Sequence, residues 1–303
     1  KLFDKRNIKF INCERELISV DGFLFQNWLE RLYFERLESK SSLILTLLEE
    51  SKNDWEQVLF ILLLRNFGSK VNGDSFFSLT RTLNFSVIRK SYGNTLQMES
   101  LLFGTALLLE DDTEVDGYYI DLKKEYGFLK TKFNLNTAGV LQPQFYGLRP
   151  PNFPTIRLSQ FANLYNCRQN LFSQLMDAES VPKIRELLEV SASDYWNDHY
   201  TFGKVSKRSN KKLSKSFIDL IIINTIAPLK FCYTKQQGRE VDSQIVDVIS
   251  SLKAEENSVV DNFKQHSATV ENAMQSQAVL QLYNEYCTKN KCLQCVVGAS
   301  LLG

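Results

Sequence analysis

The sequence predicts an all-α, multi-helical protein, and three observations predict it. From Phe23 onward, apolar residues recur three and four apart with charged residues between them, as in Leu24, Trp28 and Leu32 against Arg31 and Glu35. Capping residues stand where apolar runs begin: Asn53 before Trp55–Leu64, Asn94 or Thr95 before Met98–Gly104, and Pro182 in the first turn of a run to Val190. Breakers are concentrated rather than scattered. Four of the six prolines, Pro143, Pro150, Pro151 and Pro154, fall within twelve residues near the middle of the 303-residue chain, each fixing φ and removing a donor.

Taken in order, residues 1–22 are an extended segment. Ile8–Ile11 and Leu17–Val20 read as two short strands or as the β remnant of a preceding domain. Residues 23–147 form a first helical half. It holds a helix from Phe23, a second over Ser42–Glu50, and a third that is apolar nearly all round and stops near Gly68. Asn72 or Asp74 caps the next, and Tyr118–Phe133 closes the half after an acidic loop at 110–114 that lacks calcium-loop spacing. Residues 148–157 are a stiff Pro-rich connector. Residues 158–303 form the second half, with a long helix from Ile156 to Met176 and an aromatic turn at 191–203. A basic loop at 204–216 and an apolar helix over Phe217–Phe231, interrupted by Pro228, follow before the terminal helices.

Composition narrows the function classes. Hydrophobic residues make up 44% and charged residues 23%, with a net charge of +1. Any attraction to nucleic acid must therefore come from a local patch rather than from the whole surface. The first ten residues lack a signal-peptide pattern, and the uninterrupted apolar runs are short for a bilayer, so the expectation is a cytoplasmic protein with no membrane partner. Six cysteines without an export signal suit a reducing compartment. The chain does not begin with Met, which suits a processed product or a piece of something longer.

Several segments occur together in a distinctive order. They are Asp54-Trp55-Glu56, Asn66-Phe67-Gly68 with Asn72, and Glu99-x-Leu101-Leu102-Phe103-Gly104. Arg149-Pro150-Pro151-Asn152-Phe153-Pro154-Thr155-Ile156-Arg157-Leu158 follows, then Tyr195-Trp196 with His199-Tyr200-x-Phe202-Gly203, and Ile223-Asn224-Thr225-x-x-Pro228. The last is Tyr286-Cys287-x4-Cys292-Leu293-x-Cys295-x2-Gly298. Across essentially the whole chain this set resembles the bacterial family, typical of Bacteroidetes, known as domain of unknown function 2851. The resemblance implies a longer protein whose N-terminal region carries a Gly-Asp-x-Glu-x-His-like, nuclease-like segment absent here. On that reading this chain is the C-terminal helical portion.

Four constellations are candidates for chemistry or binding. Cys287, Cys292 and Cys295 have a spacing used for zinc and for iron–sulfur clusters, but a fourth ligand must come from Cys13, Cys167, Cys232 or His266 through the fold. Otherwise they are three half-buried thiols, and the protein carries no cofactor. The basic loop offers Lys207, Arg208, Lys211 and Lys212 to phosphates, with Tyr195, Trp196, Tyr200 and Phe202 to stack on bases; alternatively it is a solvated loop beside core aromatics. Arg149 and Arg157 flank the prolines and either grip an anion or, for Arg157, satisfy helix-end carbonyls or pair with Glu99 or Glu125 between the two halves. His199, with Asp194 or Asp198 to orient it, lacks a nucleophile or metal partner and reads as a structural residue.

No phosphate loop, dinucleotide fingerprint, zinc-protease motif or nucleophile elbow is present, so no catalytic residue is assigned. The leading expectation is a non-catalytic helical interaction or scaffold module that binds a protein or nucleic acid. The alternatives are the accessory part of a nucleic-acid-processing enzyme whose catalytic region lies outside this chain, and a metal-stabilised redox or regulatory protein.

Overall fold

A single 29-residue helix, α1 (Gly22–Glu50), takes the place of the two shorter helices expected there. The serines that suggest a break bond back into their own helix: Ser41 Oγ donates to the Leu37 carbonyl at 2.9 Å and Ser42 Oγ to that of Ser39 at 2.7 Å. Their hydroxyls are satisfied without the backbone leaving the helical path. The structure, a computed structural model, describes residues 9–110, 116–239, 243–266 and 268–302. Ile8 and most of the acidic run at 110–114 lie outside the described residues.

α2 (Trp55–Phe67) is capped by Asp54 rather than Asn53; the Asp54 carboxylate accepts the Gln57 N–H at 3.1 Å. Asn53 sits instead in the left-handed region, at φ 63°. As expected, α2 is buried from Val58 through Leu64. α3 (Ser69–Leu79) follows at once, because Gly68 lets the chain turn hard: a Cβ there would lie 2.3 Å from the Asn72 carbonyl oxygen. Asn72 is therefore inside α3 and caps nothing. Its side chain pairs both ways with the Gln144 backbone, Nδ2 donating to the carbonyl at 2.9 Å and Oδ1 accepting from the N–H at 2.7 Å. This ties down the approach to the prolines. Asn72→Ala is expected to lower stability by about 2 kcal/mol by stranding both backbone groups, read as a lower urea midpoint at constant slope; an unchanged midpoint would count against that account.

The chain continues through α4 (Phe85–Arg89), α5 (Thr95–Thr105) and α6 (Gly117–Lys132). Of the two candidates Asn94 and Thr95, Asn94 caps α5, and Asp116 caps α6. A 3₁₀ turn at Pro150–Asn152 leads into α7 (Pro154–Cys167), with Pro154 in its first position, where no N–H is missed. α7 ends earlier than its apolar pattern suggests, because Asn170 adopts φ 55° and redirects the chain into α8 (Leu171–Asp177). After α9 (Val181–Leu188), the aromatic turn proves to contain a hairpin of β1 (His199–Thr201) and β2 (Lys204–Val205), turned at Gly203 with φ 66°.

α10 (Lys215–Ile221), a π-helical stretch Ile222–Ile226 and α11 (Ala227–Gln236) make one helical run. The π turns lie just ahead of Pro228, whose ring would collide with the carbonyl four residues back in a regular α-helix. The expected interruption is therefore absorbed as a local widening. By length and composition this run could cross a membrane, yet 67% of its apolar window is buried inside the protein. α12 (Ser243–Ser250), α13 (Ser258–Gln265), α14 (Ala273–Gln281), a second π stretch Leu282–Cys287 and α15 (Val296–Leu302) complete an all-α fold.

The two N-terminal strands do not form among the described residues. Residues 9–20 are turns, with a 3₁₀ turn at Leu17–Ser19, and their amides find local partners: Leu17 N–H reaches the Cys13 carbonyl at 3.0 Å. With those donors used locally, no ladder is left to pair. Two compact units result, one of residues 1–46 and 227–303, the other of 47–226. They do not follow the two halves expected on either side of 148–157, since the connector lies inside the second unit. That unit is centred on α2 and α7, where Phe67 and Phe161 lie 5.1 Å apart and Phe60 lies 5.5 Å from both Phe161 and Tyr165. The core of the first unit includes Leu29 and Leu32 of α1, Phe263 of α13 and Val279 of α14.

Candidate functional site

The basic loop is built on one buried lysine. Lys211 is only 6% exposed; its ammonium donates to the Asn197 carbonyl at 3.0 Å, the Ser209 carbonyl at 3.1 Å and Ser209 Oγ at 2.7 Å, and lies 4.2 Å from the Tyr200 ring centre. All three ammonium donors are used, so Lys211 contacts no phosphate, contrary to expectation. Lys212 faces solvent but pairs with Glu189. The loop is closed at its base by a bridge between Ser191 and Lys212, and pinned along its length by Ser206 and Ser209 N–H bonds to the Asp198 and Asn197 carbonyls, at 2.6 and 2.7 Å. Lys204, Lys207, Arg208 and Lys215 remain exposed. The loop is thus a fixed rim of outward cations.

Two of the four aromatic residues beside the loop, Trp196 and Tyr195, are packed on both sides and not free to stack on bases. Trp196 is fully buried, 5.5 Å from Phe103 and 5.2 Å from Phe202. Tyr195 is sandwiched between Tyr118 at 4.2 Å and His199 at 4.1 Å. Asp198, not Asp194, orients His199, with Nδ1 2.7 Å from the carboxylate and 3.0 Å from the Tyr195 carbonyl.

Behind this layer lies a carboxyl group that sequence reasoning considered only as a partner for Arg157. Glu99 of α5 is fully buried and held by the hydroxyls of Tyr118, Ser159 and Ser193, the last at 3.1 Å. Burial raises its pKa despite the opposing hydrogen bonds from the three hydroxyls. Nearby, Asp116 caps Tyr119 N–H at 2.8 Å, receives the Tyr195 hydroxyl, and accepts Gly203 N–H at 2.9 Å. Burial works against its ionisation, but those bonds outweigh it and hold its pKa below the usual value. A cleft of about 410 Å³, lined by Thr95, Tyr118, Asn163, Ser193 and Tyr195, opens above the Glu99 hydroxyls. A lone acid inside the apolar run Met98–Phe103 was the available sequence signal.

The two arginines of the connector separate. Arg149 is exposed. Arg157 is 7% exposed, donates to Asn152 Oδ1 at 2.6 Å and Gln160 Oε1 at 3.0 Å, and lies 3.6 Å from the centre of the Phe217 ring. Glu99 is occupied by hydroxyls and is not its partner; amide oxygens and a ring face stand in for a carboxylate. Burial lowers the Arg157 pKa to about 10, so it stays charged at neutral pH. These contacts tie the connector to α7 and to Phe217 of α10.

In the other unit, Phe10 stacks on Tyr283 at 5.0 Å and meets Phe263 edge-on at 5.2 Å, which anchors the N-terminal turn against the C-terminal helices. Cys13 thereby arrives beside Cys287, Cys292 and Cys295, and all four line one small cavity of about 40 Å³ together with Asn12, Tyr286 and Gly298. Burial first, then Cys13, Cys295 and Cys292 in turn, push the Cys287 thiol up to about 12. All six cysteines are free thiols. Among the described residues no group of three His, Cys, Asp or Glu side chains is already gathered as a metal-holding cluster.

Compared with known families, residues 1–258 match the one described as Protein of unknown function (DUF2851). No curated protein and no solved structure matches the chain.

Proposed function

This chain belongs to the DUF2851 family of proteins of unknown function, and from its own geometry we propose a non-catalytic interaction module that holds an extended polyanion, the phosphate backbone of a nucleic acid. The observation that carries this reading is the pinned loop whose Lys204, Lys207 and Arg208 face solvent while Lys211 fixes its base from below. Immobilising the loop in advance lowers the entropy cost of binding. Arg149 extends the same unit's cationic surface, and Thr155 Oγ1 of α7 bonds the Tyr200 carbonyl of the hairpin at 2.6 Å, linking connector to hairpin. With Trp196 buried, Tyr195 sandwiched and one side of the Tyr200 ring taken by Lys211, recognition rests on charge and is largely indifferent to base sequence. Catalysis by His199, Glu99 or Arg157 is disfavoured because each is held by neighbouring residues.

Such a module also fits the accessory part of a nucleic-acid-processing enzyme in a cytoplasmic setting, with the chemistry outside these residues. Fluorescence anisotropy with single-stranded and duplex oligonucleotides tests the reading. Contact with three to four phosphates gives a slope of log affinity against log salt of about −2 to −3 on single strands and about −3 to −4 on duplex, and Lys207→Ala with Arg208→Ala should flatten it by about 1.5. Lys211→Ala should instead lower thermal stability. An unaltered slope in the double variant, or binding insensitive to salt, would refute the proposal.

A further inference from the structure

The geometry points to a four-thiolate site, made of Cys13, Cys287, Cys292 and Cys295, for a thiophilic metal centre: a single zinc ion or an iron–sulfur cluster. Three ligands were suggested by spacing alone; the fourth comes from a residue 274 positions away that only the fold delivers. Cys232 is buried elsewhere and receives its polar contact from Ser41, Cys167 is exposed in the other unit, and His266 stacks with Phe10 at 6.4 Å. Cys13 is the one of the four candidates that lines the cavity.

The cavity walls are built to place thiols. Cys287 ends the π stretch, and Asn290 at φ 53° reverses the chain, with Lys291 N–H bonded to the Tyr286 carbonyl at 2.9 Å. Cys292 opens a 3₁₀ turn closed by Cys295 N–H on the Cys292 carbonyl at 3.2 Å. Cys295 in turn precedes α15, with Ala299 N–H on its carbonyl at 2.8 Å. Gly298 packs so tightly on this turn that a Cβ would sit 2.1 Å from the Cys292 carbonyl oxygen. Cys13 stands in a turn of its own, its carbonyl taken by Leu17 N–H at 3.0 Å. Four cysteines from three turns thus line one small cavity.

The surroundings suit bound thiolates. Asn12 Nδ2 donates to Cys292 Sγ at 3.5 Å and to Asn290 Oδ1 at 3.1 Å, a sulfur-directed amide of the kind that orients metal ligands. Lys291, exposed on the ligand loop, offsets part of the negative charge that four thiolates around a divalent ion carry, whereas Lys289 is paired with Glu285. Loading one zinc ion releases four protons, one from each thiol, and forms four Zn–S bonds without oxidation or reduction. Because the cysteines line the wall rather than meeting at its centre, ligation asks each side chain to turn inward about χ1. Spacings of four and two residues between successive cysteines suit both zinc and iron–sulfur centres.

The test is elemental analysis with an absorption spectrum on the full chain purified without oxygen, followed by alkylation mapped by mass spectrometry. The expected result is about one zinc per chain and no colour, or iron and sulfide with visible absorption; the spectrum tells the two apart. The four cysteines should resist iodoacetamide together and become reactive together after chelation, while Cys167 reacts in both states. Cys13→Ser should lose metal as completely as Cys292→Ser, and Cys167→Ser should retain it. If a serine variant fails to fold, the joint protection in the unaltered protein still decides. No metal above background, independent reactivity of the four thiols, or full metal retention in Cys13→Ser would overturn the site.

Discussion

Replacing Glu99 with alanine is expected to destabilise the protein by about 3 kcal/mol, while Glu99→Gln costs less than about 1 kcal/mol. Alanine leaves a void and strips the hydroxyls of Ser159, Tyr118 and Ser193 of their common partner. Tyr118 and Ser193 lie 3.3 Å apart and recover part of that loss through each other, which holds the figure below the sum of three stranded groups. Glutamine keeps the shape, and the hydroxyls rotate to accept from its amide.

The pH dependence has a definite sign. Burial raises the folded-state pKa of Glu99 above its unfolded value, so the folded state binds the extra proton. Stability from this group is fully present below the unfolded carboxyl value of about 4.3 and is lost as pH rises through the folded value. Glu99→Gln has no such proton. Urea midpoints of the two proteins should therefore lie closest to the cost of the substitution itself, less than about 1 kcal/mol, at low pH where Glu99 is protonated, and the glutamine variant should gain relative stability as pH increases across that range. Parallel curves would mean that the carboxyl titrates alike in both states.

Gly104→Ala is expected to destabilise by about 3 kcal/mol although alanine is the better helix former. A Cβ at this position of α5 would lie 2.1 Å from Cγ of Tyr126 in α6, and 2.3 and 2.4 Å from the neighbouring ring carbons. Those atoms are the root of the ring, not its flexible end, so the two helices must separate. The propensity gain of about 1 kcal/mol is too small to offset this. In a Tyr126→Ala background the clash disappears, and Gly104→Ala should become neutral or stabilising. Thermal denaturation of the four proteins forms a double-mutant cycle; additive effects would show that Tyr126 is not the obstacle.

Much of the fold was legible locally. The all-round apolar α2, a cap at the start of α5 and the first-turn proline of α9 each follow from short-range chemistry, namely amide donors that need acceptors and a ring that fixes φ. Local signals misled where a side chain had two possible partners. Ser41 and Ser42 bond within α1 rather than ending it, and Asn72 turns from capping to pairing with a backbone 72 residues away. The hairpin at 199–205 was hidden by its aromatic content, although Gly203 marks its turn.

The candidate sites divide along the same line. Sequence by itself determined the family, the helical class, the cluster of three C-terminal cysteines and the stretch of cations after the hairpin, because composition, periodicity and spacing are properties of neighbours along the chain. Tertiary structure alone decided that Lys211 and Arg157 are buried clamps while Lys207, Arg208 and Arg149 face solvent, that Glu99 is an acid shared by three hydroxyls, and that Cys13 joins Cys287, Cys292 and Cys295. Burial and long-range convergence set these roles, and both depend on which distant residues a side chain meets, a quantity that no local pattern encodes.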